Sequence, residues 1–152
     1  MLAVIRISGR VNIKGELEDT LGMLRLHRIN HCVLVPETPE CLGMVRKVKD
    51  YVTWGEIDEK TAVKLFENRG MLTGRRKLDK KTLKKITDYD SFDKFVKDLM
   101  KNKIKIKDFP EIKPVFRLNP ARKGLKNTRI PHPKGDLGNR KDKINGLLER
   151  MM

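Results

Sequence analysis

Four sets of residues in this chain are of types that carry chemistry, and their spacing decides how far each can be taken. His27, His31, Cys32 and Cys41 are ligands of the kind that hold zinc, but no Cys-x-x-Cys pair accompanies them. Both cysteines fall in apolar runs, where a thiol is commonly a small core side chain, and we expect no metal. His132 has no Asp, Cys or Ser arrangement around it that would suggest a triad. Gly70-Met71-Leu72-Thr73-Gly74-Arg75 lacks both the spacing and the Lys-Ser/Thr ending of a nucleotide-binding loop. The fourth set is the largest: Arg117, Arg122, Lys123, Lys126, Arg129, Lys134, Arg140, Lys141 and Lys143, interleaved with Asn119, Asn127, His132 and Asn139. Arginine grips phosphate with paired N–H donors or stacks on a base, and asparagine reaches sugar and base edges. That is the chemistry of holding a polyanion. No catalysis, cofactor or small-molecule substrate is expected from it.

Smaller cationic groups lie upstream. Arg46, Lys47 and Lys49 project from a helix whose apolar stripe is Cys41, Met44, Val45 and Val48; they suit phosphate, or are a solvated helix face. Arg10-Val11-Asn12-Ile13-Lys14 sets two cations and an amide between Gly9 and Gly15, as a phosphate-binding loop or an ordinary turn. Arg75, Arg76 and Lys77 form a tight cluster after Gly74 with the same two readings.

The totals frame these groups. The 152 residues hold 35 Lys and Arg against 20 Asp and Glu, a formal charge of +15, and an excess of that size self-repels unless an anionic partner neutralises it. Nucleic acid is the commonest such partner, because each phosphate contact releases a condensed counterion. The charge is also sorted: residues 1–56 carry a net +1, residues 57–100 a net +4 and residues 101–152 a net +10. Between Arg117 and Lys143 the only rings are those of Phe116, at the edge, and His132, which favours recognition of folded RNA by backbone and shape over capture of single strands. Membrane is disfavoured, since Met1 to Ile5 is apolar for five residues and then meets Arg6. Two cysteines are too few for a disulfide framework, as expected inside a cell.

The elements that must position these residues read as strand, helix, strand, helix, strand over the first third. Residues 2–7 alternate Ala3, Ile5 and Ile7 on one face; Leu17, Leu21 and Leu24 predict a helix to about residue 27. Cys32 to Val35 predicts a second strand ending at Pro36. Thr38-Pro39 predicts a helix start, and Tyr51 to Trp54 a third strand. Two helices covering one face of a small antiparallel sheet give an α+β, ferredoxin-like β-α-β-α-β core over residues 1–57. Residues 58–152 then form a basic extension, largely helical and irregular. Asp58 starts a helix with Ala62, Leu65 and Phe66 inside, a short helix holds Leu83 and Ile86, and Ser91 starts another on Phe92, Phe95, Val96 and Leu99. Pro114 to Leu118 could add a strand, and Ile144, Leu147, Leu148 and Met151 predict a terminal helix. The proline-rich stretch between these last two is expected to order only on RNA.

Particular words in the sequence carry a resemblance. The run from Ile29-Asn30-His31-Cys32-Val33-Leu34-Val35-Pro36-Glu37-Thr38-Pro39 through Gly43-Met44-Val45-Arg46-Lys47-Val48-Lys49-Asp50-Tyr51-Val52 resembles the large-subunit ribosomal protein L-thirty family. The archaeal long form, related to the eukaryotic L-seven proteins, fits best, on Phe116-Arg117-Leu118-Asn119-Pro120-Ala121-Arg122-Lys123-Gly124 and on Gly138-Asn139-Arg140 before a terminal helix. Pro120-Ala121 stands where that form usually has a proline doublet. The resemblance implies a ferredoxin-like core and a C-terminal extension. It also implies non-catalytic binding to large-subunit ribosomal RNA beside neighbouring ribosomal proteins, in the cytoplasm. A free-standing nucleic-acid-binding or regulatory protein is the alternative that the charge alone allows. Ser8-Gly9-Arg10 is superficially similar to acylphosphatases, but Ile13-Lys14-Gly15-Glu16-Leu17-Glu18 offers acids where that family needs an arginine.

Overall fold

Leu2-Ala3-Val4-Ile5 presents apolar side chains to both faces of a strand, and such a strand belongs inside a sheet covered on both sides. In the computed structural model of the chain, which describes residues 1–74 and 76–152, it is the buried centre of a five-stranded sheet of order β4-β2-β1-β3-β5. β1 (Leu2–Arg6) is flanked antiparallel by β2 (His31–Val35) and β3 (Val52–Glu56). β4 (Val115–Arg117) adds antiparallel to β2, as the sequence suggested. β5 (Gly138–Asn139) adds parallel to β3, so the sheet is mixed where an antiparallel one was expected. Two residues, one of them glycine, leave no alternation from which to read a strand.

Helices α1 (Gly15–Met23) and α2 (Pro39–Lys47) cover one face, where Leu2, Val4, Val52 and Trp54 meet Leu21, Leu24, Val45 and Val48. Thr38 caps α2, its Oγ1 accepting from the Cys41 N–H at 3.3 Å, and Pro39 fills the first turn. α1 stops short of the leucine periodicity, because the chain turns at Arg25, whose φ is +59°.

The second face is also covered, a correction to the single covered face expected from the front third. Helices α3 (Glu59–Arg69), α4 (Lys80–Thr87), α5 (Phe92–Met100) and α6 (Ile144–Met151) share one apolar cluster with Ala3, Ile5, Ile7 and Cys32. Phe66 sits among them with its ring edge-to-face on Phe95 (5.3 Å) and Phe116 (5.0 Å). Residues beyond 57 thus supply a whole layer of the core, and the proline-rich stretch is tied down at both ends by β4 and β5. Asp58 stands at the N-cap of α3 without a side-chain cap bond; its own N–H donates to the Asn145 Oδ1 at 3.0 Å.

Gly55 decides how closely the extension lies on β3. A Cβ there would stand 2.1 Å from the Lys141 carbonyl oxygen and 3.0 Å from the Ile144 side chain. Glycine is what lets the chain pass over the strand and turn directly into α6.

Candidate nucleic-acid interface

The strand directions decide which loops share an end of the sheet. β1 ends at Arg6. β2 and β3, both antiparallel to it, begin beside that end. β4, antiparallel to β2, finishes there with Arg117 opposite His31. β5, parallel to β3, enters from the same side with Gly138 opposite Thr53. Five segments therefore converge on one end: residues 7–14, 28–30, 46–51, 117–124 and 126–137. Backbone bonds stitch them together. The Tyr51 carbonyl accepts from Ile7 and Ser8 (2.9 and 3.1 Å), the Arg6 carbonyl from Asn30 (2.9 Å), and the Asn30 carbonyl from Leu118 (3.0 Å).

This convergence gathers most of the cations singled out above. Arg10, Asn12 and Lys14 stand exposed on the β1 exit, and Arg46, Lys47 and Lys49 on the last turn of α2 and the turn into β3. Arg10 pairs with Glu18, and Lys47 lies 3.9 Å from Glu16. Arg117, Asn119, Arg122, Lys123, Lys126, Arg129 and Lys134 are exposed on the segment between β4 and β5, which contains no acid before Asp136. Asn12 and Lys123 take positive φ (+55° and +64°), turning both loops sharply. Glu37, Glu56, Asp58 and Glu59 sit at the opposite end of the sheet.

Two arginines that the sequence does not single out hold this end in shape. Arg6 is buried with no carboxylate among its hydrogen-bond partners. Its guanidinium donates to the carbonyls of Leu26 (2.8 Å), Ser8 (2.9 Å) and Gly9 (3.0 Å), fixing the β1 exit against the chain leading into β2. Arg150 of α6 donates to the Arg122 carbonyl (2.9 Å) and to the Gly124 carbonyl. Arg28 stands exposed at the same end, just before β2. Burial, with the charges of Arg117, His27 and Arg28 adding to it, holds the His31 imidazole below its usual pKa and therefore neutral near pH 7.

Not every expected residue lies here. Arg140 stands apart: it is 9 % exposed, its Nε donates to Thr53 Oγ1 at 3.0 Å, and its guanidinium pairs with the buried carboxylate of Asp136. These bonds turn Nε and Nη2 inward and fix β5 against β3. Asn139, Lys141 and Lys143 follow on the far side of β5, where the Asn139 Oδ1 accepts from the Lys141 N–H at 2.9 Å. His132 is half-buried, with burial and the charges of Arg140 and Lys143 depressing its pKa. Arg76 lies in a hairpin that bridges to Ile112, before β4 begins, and so away from Arg117. Arg75 falls outside the described residues.

The other candidate chemistries find no geometry. Cys32 is buried in the core, where burial pushes its thiol pKa up and suppresses the thiolate. Among the described residues no three His, Cys, Asp or Glu side chains converge as a metal site, and no helix is long and apolar enough to cross a membrane.

Comparison with known proteins gives a consistent set. A model of the family described as ribosomal protein L30p/L7e matches residues 2–52. The chain is 46% identical over 151 residues to the large ribosomal subunit protein uL30 of Archaeoglobus fulgidus, covering 99% of each chain. It is 46% identical over 152 residues to that of Methanocorpusculum labreanum, again covering 99% of each, and 46% identical over 153 residues to that of Methanococcus maripaludis, covering 99% of this chain and 98% of the relative.

Proposed function

The chain belongs to the ribosomal protein L30p/L7e family, and on that footing we propose that it is a structural, non-catalytic constituent of the large ribosomal subunit, binding and stabilising large-subunit ribosomal RNA through the cationic end of its sheet. It works in the cytoplasm inside the particle, with neighbouring large-subunit proteins around it.

One observation carries the reading: five chain segments distant in sequence deliver exposed arginines, lysines and asparagines to the same end of one rigid sheet. Cations mounted on an already ordered backbone require little backbone ordering on meeting phosphate, so more of each interaction survives as affinity. Arg10, Asn12, Lys14, Arg28, Arg46, Lys47 and Lys49 form one half of the interface. Arg117, Asn119, Arg122, Lys123, Lys126, Arg129 and Lys134 form the other. Arginine supplies half of these twelve cations, as suits bidentate grip on folded RNA.

The test is the salt dependence of binding to large-subunit ribosomal RNA. Changing Arg10, Lys49, Arg117 and Lys134 together to glutamine alters only exposed side chains and should leave the fold intact. Each phosphate that the protein no longer neutralises lowers the slope of log affinity against log salt by roughly 0.7–0.9, so four of them lower it by up to about 3.6. A slope equal to that of the unaltered chain would remove this end from the interface.

A further inference from the structure

From Lys77 to Lys113 every cation in the chain is a lysine, whereas the sheet end described above is rich in arginine. Within that stretch Lys94, Lys97 and Lys101 recur at i, i+3 and i+7, one face of α5 and the turn after it, spanning roughly 10 Å. All three are exposed, while Phe92, Phe95, Val96 and Leu99 on the other face are buried. The row then continues by alternation: Lys103, Lys105 and Lys107 are exposed, while Ile104 is half-buried and Ile106 buried. Among the described residues only Lys103 of these six has a carboxylate within ion-pair distance, Asp98 at 3.9 Å.

The row is not part of the sheet end. Lys105 and Lys107 line a cavity with Val35, Pro36 and Pro114, at the finish of β2 and the start of β4, opposite to the end where His31 meets Arg117. We propose that Lys94, Lys97, Lys101, Lys105 and Lys107 form a second RNA contact that takes a separate backbone segment, so that the chain ties two segments of ribosomal RNA together. The proposal rests on the reading that the protein is bound to ribosomal RNA.

The chemistry favours RNA over an acidic protein. Protein interfaces are anchored by aromatic residues and arginine, and lysine is depleted from them. The row itself offers neither anchor, and of the exposed large apolar side chains Val11, Ile29 and Ile130 lie elsewhere, while Met23 alone borders the cavity that Lys105 and Lys107 line. Compact, hydrated lysine charges on flexible stems suit a contact made through counterion release, without bidentate geometry or base readout.

Lysine acetylation read residue by residue on intact large subunits, on nuclease-treated subunits and on the free full-length protein tests this directly. Labelling of Lys94, Lys97, Lys101, Lys105 and Lys107 should be lost in the particle and return after nuclease treatment. Full labelling in the particle would show a solvated face and overturn the proposal. Protection that survives nuclease would show a protein partner and overturn it equally. Lys14, Lys47, Lys49, Lys123, Lys126 and Lys134 report on the sheet end in the same digest, so failure of the row and failure of the primary interface are separate results.

Discussion

A chain ending at Lys143 is expected not to fold. Ile144, Leu147, Leu148 and Met151 are each no more than 2 % exposed, and they pack on both the strand residues and α3. At about 1.5–3 kcal/mol for each buried side chain, their removal takes away roughly 6–12 kcal/mol, an upper bound because unfolded chains already bury some surface. Whole domains of this size are stable by only about 5–15 kcal/mol. The damage extends beyond the core: the Met151 carbonyl accepts from Asn119 (2.8 Å) and the Arg150 carbonyl from Arg122 (3.0 Å), so the cationic segment between β4 and β5 loses its support as well. Thermal unfolding followed by circular dichroism checks this. The truncated chain should show no cooperative transition, and one within a few degrees of the full-length midpoint would refute the account of α6.

Asp136→Ala is the point substitution with the largest expected cost. The Asp136 carboxylate is buried against the Arg140 guanidinium and also accepts from the Asn127 N–H at 3.0 Å. Removing it leaves a buried guanidinium without its counter-charge, which costs roughly 3–5 kcal/mol. Replacing both partners, Asp136→Leu with Arg140→Met, should recover much of that stability, because no unpaired charge remains. Burial alone would raise the Asp136 pKa, but the hydrogen bonds from Arg140 and the Asn127 N–H outweigh it and hold the carboxyl below its ordinary value. A depressed folded pKa means that this stabilisation is present above the ordinary carboxylate pKa of about 4 and is lost as the pH falls through the folded value. Urea midpoints of the wild type should therefore fall in acid, and those of the double replacement should fall less. Equal acid sensitivity would show that the pair is not what acid breaks.

How much of this is legible in the sequence follows from how local each signal is. The four buried residues of α6 recur at three and four, and the Thr38-Pro39 start of α2 is a two-residue signal; both are written in adjacent side chains. The second covered face is harder to see. Leu2 and Val4 on one side of β1 and Ala3, Ile5 and Ile7 on the other are all apolar, and counting the odd positions alone hides that both faces of the strand need a covering layer. β5 leaves no periodic trace at all. Its existence depends on Thr53 and Trp54 pairing with Gly138 and Asn139, far away along the chain. Arg140 resembles the exposed cations because its neighbours Lys141 and Lys143 are cationic; nothing local says that Thr53 and Asp136 will enclose it. Arg6 escapes notice for the converse reason, since a lone arginine ending an apolar strand gives no sign that three carbonyls will surround it. The interface itself reads along the chain as separate patches. Their union comes from alternating strand directions, which no single segment encodes.

Residue-level RNA–protein crosslinking inside intact large subunits tests the central claim most directly. Crosslinks are predicted from residues 10–14, 46–49 and 117–134 together, converging on ribosomal RNA elements that lie close to one another in the particle. If those segments were silent while the acidic end around Glu37, Glu56 and Asp58 crosslinked to RNA, the sheet would be mounted the opposite way round and the account would be wrong.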